Sequence, residues 1–250
     1  RVCFVGNSIT YAGGFHHYIQ AFYITRFPDR NVTFLNCGIP GDVAARVLDR
    51  MDDDILIHKP AYVVLMLGMN DVNRPLYRTG SVMDPDTLRK RRDAVLTYEI
   101  NMEKIVKILL SENIKLILQK PSIYDQTVTI PAFNNFGVND ALKTCGGFIE
   151  ELAGKYGLPV IDYWTIMDKI NSNVQKSNPS ATIVGKDRVH PGATGHFIMA
   201  YEFLKTMNHS QYVSKIIIDK NIVKSKKKSS NCIITAFDRK KESLSFSVKE

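Results

Sequence analysis

The chemistry that stands out is a serine placed where a histidine could deprotonate it. Ser8 lies in the run Gly6-Asn7-Ser8-Ile9-Thr10. A serine just past a strand end and ahead of a helix can expose its hydroxyl and turn its own N–H toward the same space, which suits a nucleophile served by a base. On this loop alone the plainer reading, that Ser8 and Thr10 cap the next helix, is the better one. The base is His190, in Asp187-Arg188-Val189-His190-Pro191-Gly192. An aspartate three residues before a histidine can accept the Nδ1 hydrogen from within one tight loop and so aim Nε2 at the serine. A surface loop with an incidental histidine is the competing account of a lone DxxH. His16, His17, His58, His196 and His209 have no such companion and read as structural or solvated. His196 is the least settled of these, lying only a turn or two of helix past the base.

Two further loops carry groups that could hold developing negative charge. In Asn36-Cys37-Gly38-Ile39-Pro40-Gly41-Asp42, Gly41 is read as opening a helix, where backbone N–H groups point at an anion. With no side chain in the way, its N–H could serve as an oxyanion donor; a plain turn with Asp42 as helix cap is compatible with that. In Leu67-Gly68-Met69-Asn70-Asp71-Val72, the Asn70 amide could donate from a strand end, although Asn and Asp also favour turns for local reasons.

These loops need elements to position them. Apolar runs at residues 2–5, 32–36, 62–67, 115–119 and 159–162 read as strands, most of them apolar on both parities as in a parallel sheet covered on both faces. Helical patterns fall at 14–26, 42–51, 87–111, 140–156 and 194–207. Alternation of this kind predicts a three-layer α/β/α fold with a parallel, flavodoxin-like sheet of about five strands. Ligands then bind at the carboxyl ends of the strands, and the loops carrying Ser8, Gly41, Asn70 and His190 are among those that the fold brings there. After residue 209 the character changes. Runs at 213–218, 222–223, 232–237 and 243–248 suggest a small β-rich appendage over 210–250, following a larger α/β domain over 1–209. The last run reads as a strand without a closing turn, so the expectation is a chain that continues; it also opens directly in a strand, as a processed or trimmed product would.

Taken in chain order, the segments GNSIT, GMND and DRVHPGATGH resemble the SGNH hydrolases, also called the GDSL esterase/lipase family, over about residues 1–207. The resemblance implies that Ser8, Gly41, Asn70 and His190 are the four family-naming positions, with Asp187 as the acid of the triad. It also implies no metal and no organic cofactor. Asn7 stands where the family usually has aspartate; nucleophile, base and oxyanion donors are untouched, so the change reads as tolerated. The appendage lies outside the family pattern.

Bulk properties agree with a globular enzyme. The chain has 250 residues, 44% of them hydrophobic, and a formal charge of +8. The basic runs at 89–92 and 224–228 have no interleaved aromatics and read as solvated faces, which argues against nucleic acid as a partner. No apolar run approaches the roughly 20 residues of a membrane span. Cys3, Cys37, Cys145 and Cys232 show neither a CxxC pair nor metal-ligand spacing.

The expected reaction is acyl transfer from an ester to water, with His190 as general base and then general acid. Arg74, Tyr77, Tyr124, Phe133 and Phe136 are the expected pocket residues, in the loops after the third and fourth strands. Aromatics with polar neighbours suit a sugar ring and a small acyl group such as acetate. They would equally take a lipid chain, so a lysophospholipase or thioesterase of the same family stays open. Two other classes compete: a flavodoxin-like binder using the Ser8 and Gly41 loops for phosphate, and a silent carbohydrate-binding module. The expected partner is a small-molecule or carbohydrate ester, and a secreted or periplasmic setting follows if that ester is polymeric. Oligomeric state is not legible.

Overall fold

A computed structural model of the chain describes residues 1–78, 84–210, 212–217, 228–239 and 244–249. Five strands form a parallel sheet: β1 (Val2–Gly6), β2 (Phe34–Gly38), β3 (Tyr62–Met66), β4 (Lys115–Gln119) and β5 (Val160–Ile161). Their order is β2-β1-β3-β4-β5, the flavodoxin-like arrangement. Inner residues such as Phe4, Val63, Val64, Leu65 and Leu118 are fully buried, which explains runs apolar on both parities.

The helices are α1 (Ser8–Tyr11), α2 (Gly14–Arg26), α3 (Ala44–Asp49), α4 (Met51–Asp54), α5 (Pro85–Ser111), α6 (Val138–Tyr156), α7 (Tyr163–Ser177) and α8 (Ala193–Thr206). Right-handed crossovers place α2 on one face, and α3, α5 and α6 on the other, because the chain reverses direction at β1. α2 packs against α8 on the first face, and α3 and α6 both pack against α5 on the second. That reversal leaves the crevice above β1 and β3 at the strands' carboxyl ends.

α7 was not among the expected helices. Its apolar positions are sparse, with Tyr163, Met167 and Asn171 buried along one face. Asp162 caps it by accepting from Thr165 N at 2.9 Å. The expected helix over 42–51 begins instead at Ala44 and breaks at Arg50. Asp42 is not its cap; the buried carboxylate pairs with Arg50 at 2.8 Å, and Arg50 also donates to the Cys37 carbonyl. A charged pair therefore anchors the turn that the capping rule assigned to one side chain.

The chain divides into two compact units, Arg1–Met207 and Asn208–Glu250. In the second, β6 (Lys215–Ile217) pairs antiparallel with β7 (Lys228–Ser230), and β8 (Ile233–Arg239) with β9 (Leu244–Lys249). The run expected at 222–223 and the basic residues 224–227 lie outside the described residues. At 89–92, Arg89 and Lys90 pair with Asp86 on an exposed helix face, while Arg91 turns inward to the Leu76 carbonyl. No helix among the described residues is long and apolar enough to cross a membrane.

Candidate active site

Strand β1 ends at Gly6 because helix α1 must approach it closely. A Cβ on Gly6 would lie 2.2 Å from Thr10 Oγ1 and 2.7 Å from the Met66 carbonyl. The adjoining strand end obeys the same rule, since a Cβ on Gly38 would lie 2.4 Å from Tyr11 N. Asn7 is buried and accepts the Ile9 N–H at 3.1 Å, capping α1 and leaving Ser8 as the first helical residue.

The loop carrying His190 is closed by an antiparallel bridge between Val184 and Pro191. Inside it, Asp187 Oδ1 accepts both Val189 N and His190 N at 3.0 Å, and Oδ2 lies 2.5 Å from His190 Nδ1. The other ring nitrogen, Nε2, lies 2.8 Å from Ser8 Oγ. Residues 182 positions apart thus form a continuous Asp–His–Ser chain of hydrogen bonds. Partial burial raises the Asp187 pKa, but the His190 ring and the two backbone N–H groups outweigh it and hold the carboxyl below its ordinary range.

Gly41 belongs to a tight turn rather than a helix start. Pro40 and Gly41 are its central residues, Asp42 N donates to the Ile39 carbonyl at 3.2 Å, and Gly41 has φ of 80°, a conformation that favours glycine after proline. The space above it is open, with only Arg46 Nη1 within 4 Å of where a Cβ would be. Asn70 reaches this turn directly: its Nδ2 donates to the Asp42 carbonyl at 2.9 Å. An amide has two N–H groups, so one fixes the side chain and the other can serve a ligand. Arg74 donates to Asn70 Oδ1 at 3.3 Å, orienting the amide and drawing charge from its nitrogen. Ser8, Asp187 and His190 are thus linked in one chain, and Asn70, Arg74 and the Gly41 turn in a second cluster.

The aromatic expectations need correction. Tyr77 is only 6% exposed, lying beneath the Arg91 guanidinium at 4.2 Å. Tyr124 is 1% exposed, with its hydroxyl accepting from Asn135 N. Both rings are packing elements; Tyr77 only borders a groove that it shares with Arg91, Val95 and Gly137. Phe133 and Phe136 are exposed on the loop after β4. A cleft of about 420 Å³ beside Asn70 is walled by Asn73, Leu76, Asp93, Thr97 and Tyr98, residues that the sequence reading mostly passed over.

The remaining histidines of this unit divide as their packing dictates. His16 stacks on Phe4 and bonds the Thr10 carbonyl, and burial pushes its pKa down to about 4. His196 stacks on Phe15 and fills the space over Gly14, where a Cβ would lie 2.4 Å from its ring. Burial, and after it the charges of His190 and His17, lower its pKa. Sequence reasoning also missed Asp71, which accepts Ala44 N at 2.7 Å and Gly68 N at 2.9 Å, and Arg188, which is buried. Their adjacency to Asn70 and Asp187 was the available signal.

Comparison with known proteins gives a consistent picture. Residues 4–198 match the GDSL-like Lipase/Acylhydrolase family. An acetylxylan esterase of Geobacillus stearothermophilus is 21% identical over 224 residues, covering 82% of this chain and 92% of the relative. Its solved structure superposes with a TM-score of 0.66 at 22% identity, over 84% of this chain and 94% of that one. Three variants of that esterase, described as catalytic mutants, replace a serine, an aspartate and a histidine with alanine. A gut microbial diltiazem-metabolizing enzyme is 30% identical, with a TM-score of 0.83 over 99% of this chain. The present chain spans about half the length of that relative, 55% of it. The chain belongs to the GDSL-like lipase/acylhydrolase family, whose members are hydrolases acting on ester bonds.

Proposed function

We propose that this chain is a serine esterase acting on carbohydrate or other small acyl esters, acetyl esters foremost, through Ser8, His190 and Asp187. The observation that carries the proposal is the hydrogen-bonded chain from Asp187 through His190 to Ser8 Oγ, 2.5 Å and 2.8 Å long at its two links. His190 Nε2 takes the Ser8 proton as Oγ bonds to the carbonyl carbon. The carbonyl electrons move to the oxygen, which is held by the N–H groups of Ser8 and Gly41 and the Asn70 amide. Collapse expels the alcohol, which receives the proton from His190, and water repeats the cycle on the acyl-serine.

The small-acyl preference is supported by the acetylxylan esterase relative. In that relative's catalytic mutants the aspartate and histidine are three residues apart, as Asp187 and His190 are here.

The test is hydrolysis of p-nitrophenyl esters of graded chain length, of an acetylated xylo-oligosaccharide and of diltiazem, by the parent protein and Ser8→Ala. The expected result is turnover favouring acetate that disappears in Ser8→Ala. Equal turnover by both proteins removes Ser8 from the mechanism. A preference for long acyl chains replaces the small-ester reading with a lipase one.

A further inference from the structure

Arg188 sits between the proposed triad acid and base, and it is only 3% exposed. Its φ of 66° lies in the left-handed region, which costs a side-chain-bearing residue on the order of 1 kcal/mol. That conformation turns Arg188 inward while the side chains of Asp187 and His190 remain 51% and 45% exposed. Among the described residues no carboxylate pairs with it. A buried cation without a counter-ion must be solvated by dipoles, and here all of them come from one loop. Nη1 donates to the carbonyls of Asp125 and Val128 at 2.9 and 3.0 Å. Nη2 donates to those of Ile130 and Ala132 at 3.3 and 3.1 Å, and Nε also donates to Ala132 at 3.3 Å. A guanidinium has five N–H groups in a fixed fork, so every donor is used.

The backbone closes the same junction. Asp125 N donates to the Arg188 carbonyl at 2.9 Å, and Arg188 N donates to Gly185 O at 2.9 Å. The loop so gripped follows β4 and continues to the exposed Phe133 and Phe136.

We infer that Arg188 is a positioning residue that locks the loop over 125–132 to the loop holding Asp187 and His190, so that the base and this wall of the site move as one body. The inference rests on the reading of Ser8, His190 and Asp187 as the triad. It makes Arg188 distinct from an ordinary buried arginine, whose loss would cost stability without touching proton transfer. Lysine cannot replace it, because three donors at one point cannot span four separated carbonyls.

The experiment compares Arg188→Lys with the parent on p-nitrophenyl acetate, after confirming that the variant is folded. The expected result is a fall in kcat on the order of 100-fold, the scale of an ångström-level misplacement, with KM changed far less. Destabilisation alone would lower the fraction of folded enzyme without producing this split between KM and a kcat counted per titrated active site. A kcat per active site matching the parent overturns the inference. Should Arg188→Lys fail to fold, the unaltered protein supplies the second measurement. Phosphonylating Ser8 should slow amide hydrogen exchange at both 185–190 and 125–132, whereas protection confined to 185–190 overturns the coupling. Loss of turnover in Ser8→Ala alongside a parent-like Arg188→Lys would remove only the role of Arg188; full turnover in Ser8→Ala would remove the triad reading itself.

Discussion

Asp71 reaches from the loop after β3 to the first residue of α3, where Ala44 N donates to its Oδ1 at 2.7 Å. Its other oxygen accepts Gly68 N at 2.9 Å, and the neighbouring Asn70 holds the Asp42 carbonyl. Two consecutive side chains thus fasten the Gly41 turn to the Asn70 loop, and the spacing of the proposed oxyanion donors depends on both. Burial raises the Asp71 pKa, against the lowering effect of the Ala44 and Gly68 N–H groups, to about 6 from an ordinary 3.8. A carboxyl with a raised folded-state pKa contributes stability below its unfolded value that is lost as pH rises through the folded one. The unfolding free energy of the parent relative to Asp71→Asn should therefore decline between pH 3.8 and about pH 6 and level off above. Denaturant titrations across that window check the slope; a constant difference would show that Asp71 does not titrate there. In activity, Asp71→Asn keeps one acceptor and turns an NH₂ toward the other donor, so kcat should fall about tenfold, the cost of roughly one hydrogen bond.

Asn70→Ala should be more damaging to turnover than to folding. Removing a single oxyanion donor costs about 100- to 1,000-fold in kcat, and KM should move little if the amide serves mainly the tetrahedral oxygen. Steady-state kinetics with p-nitrophenyl acetate separate the two constants. A rise in KM at constant kcat would place Asn70 in ground-state binding instead.

Asp187→Asn tests the other end of the hydrogen-bonded chain. An amide can mimic the shape of the carboxylate, but it favours the wrong ring tautomer and gives no charge to the imidazolium; under the proposed triad mechanism that costs about 10,000-fold in kcat. The Asp187 carboxyl is held below its ordinary range, so it is ionised at neutral pH and can partner the imidazole there. Steady-state kinetics of Asp187→Asn with p-nitrophenyl acetate measure the loss, and a kcat within about tenfold of the parent would count against Asp187 as the group that orients the base.

The sheet was legible because both-face burial leaves apolar runs, and the strand ends then nominated the loops where Ser8, Gly41 and Asn70 lie; the loop of His190 instead follows α7, a helix that the sequence did not announce. Asp187 and His190 were legible because a three-residue spacing within one loop is a local property. What stayed hidden was long-range. The burial of Tyr77 and Tyr124 depends on Arg91 and Asn135, partners that no local pattern announces. The Asp42–Arg50 pair displaced a capping role that sequence alone favoured. Arg188 reads as a surface residue until its carbonyl partners, more than fifty positions away, are in place.

Asn7 provides the last test, because it departs from the aspartate usual in the family's motif. Its side-chain oxygen accepts the Ile9 N–H at 3.1 Å and so fixes the turn that begins α1 at Ser8. Aspartate would present the same oxygen with a charge that the helix N-terminus favours, but at a site only 1% exposed, where desolvation opposes the gain. The two effects offset, and Asn7→Asp should leave kcat/KM within about threefold of the parent, a difference of less than 1 kcal/mol in transition-state stabilisation. Asn7→Ala removes the cap and leaves Ile9 N without its acceptor, so it should cost about 1 kcal/mol of stability and also lower kcat, since Ser8 is the residue that the cap positions. If alanine were as active as asparagine, the helix start would be fixed by the close packing of Gly6 and Gly38 alone, and Asn7 would have no part in placing the proposed nucleophile.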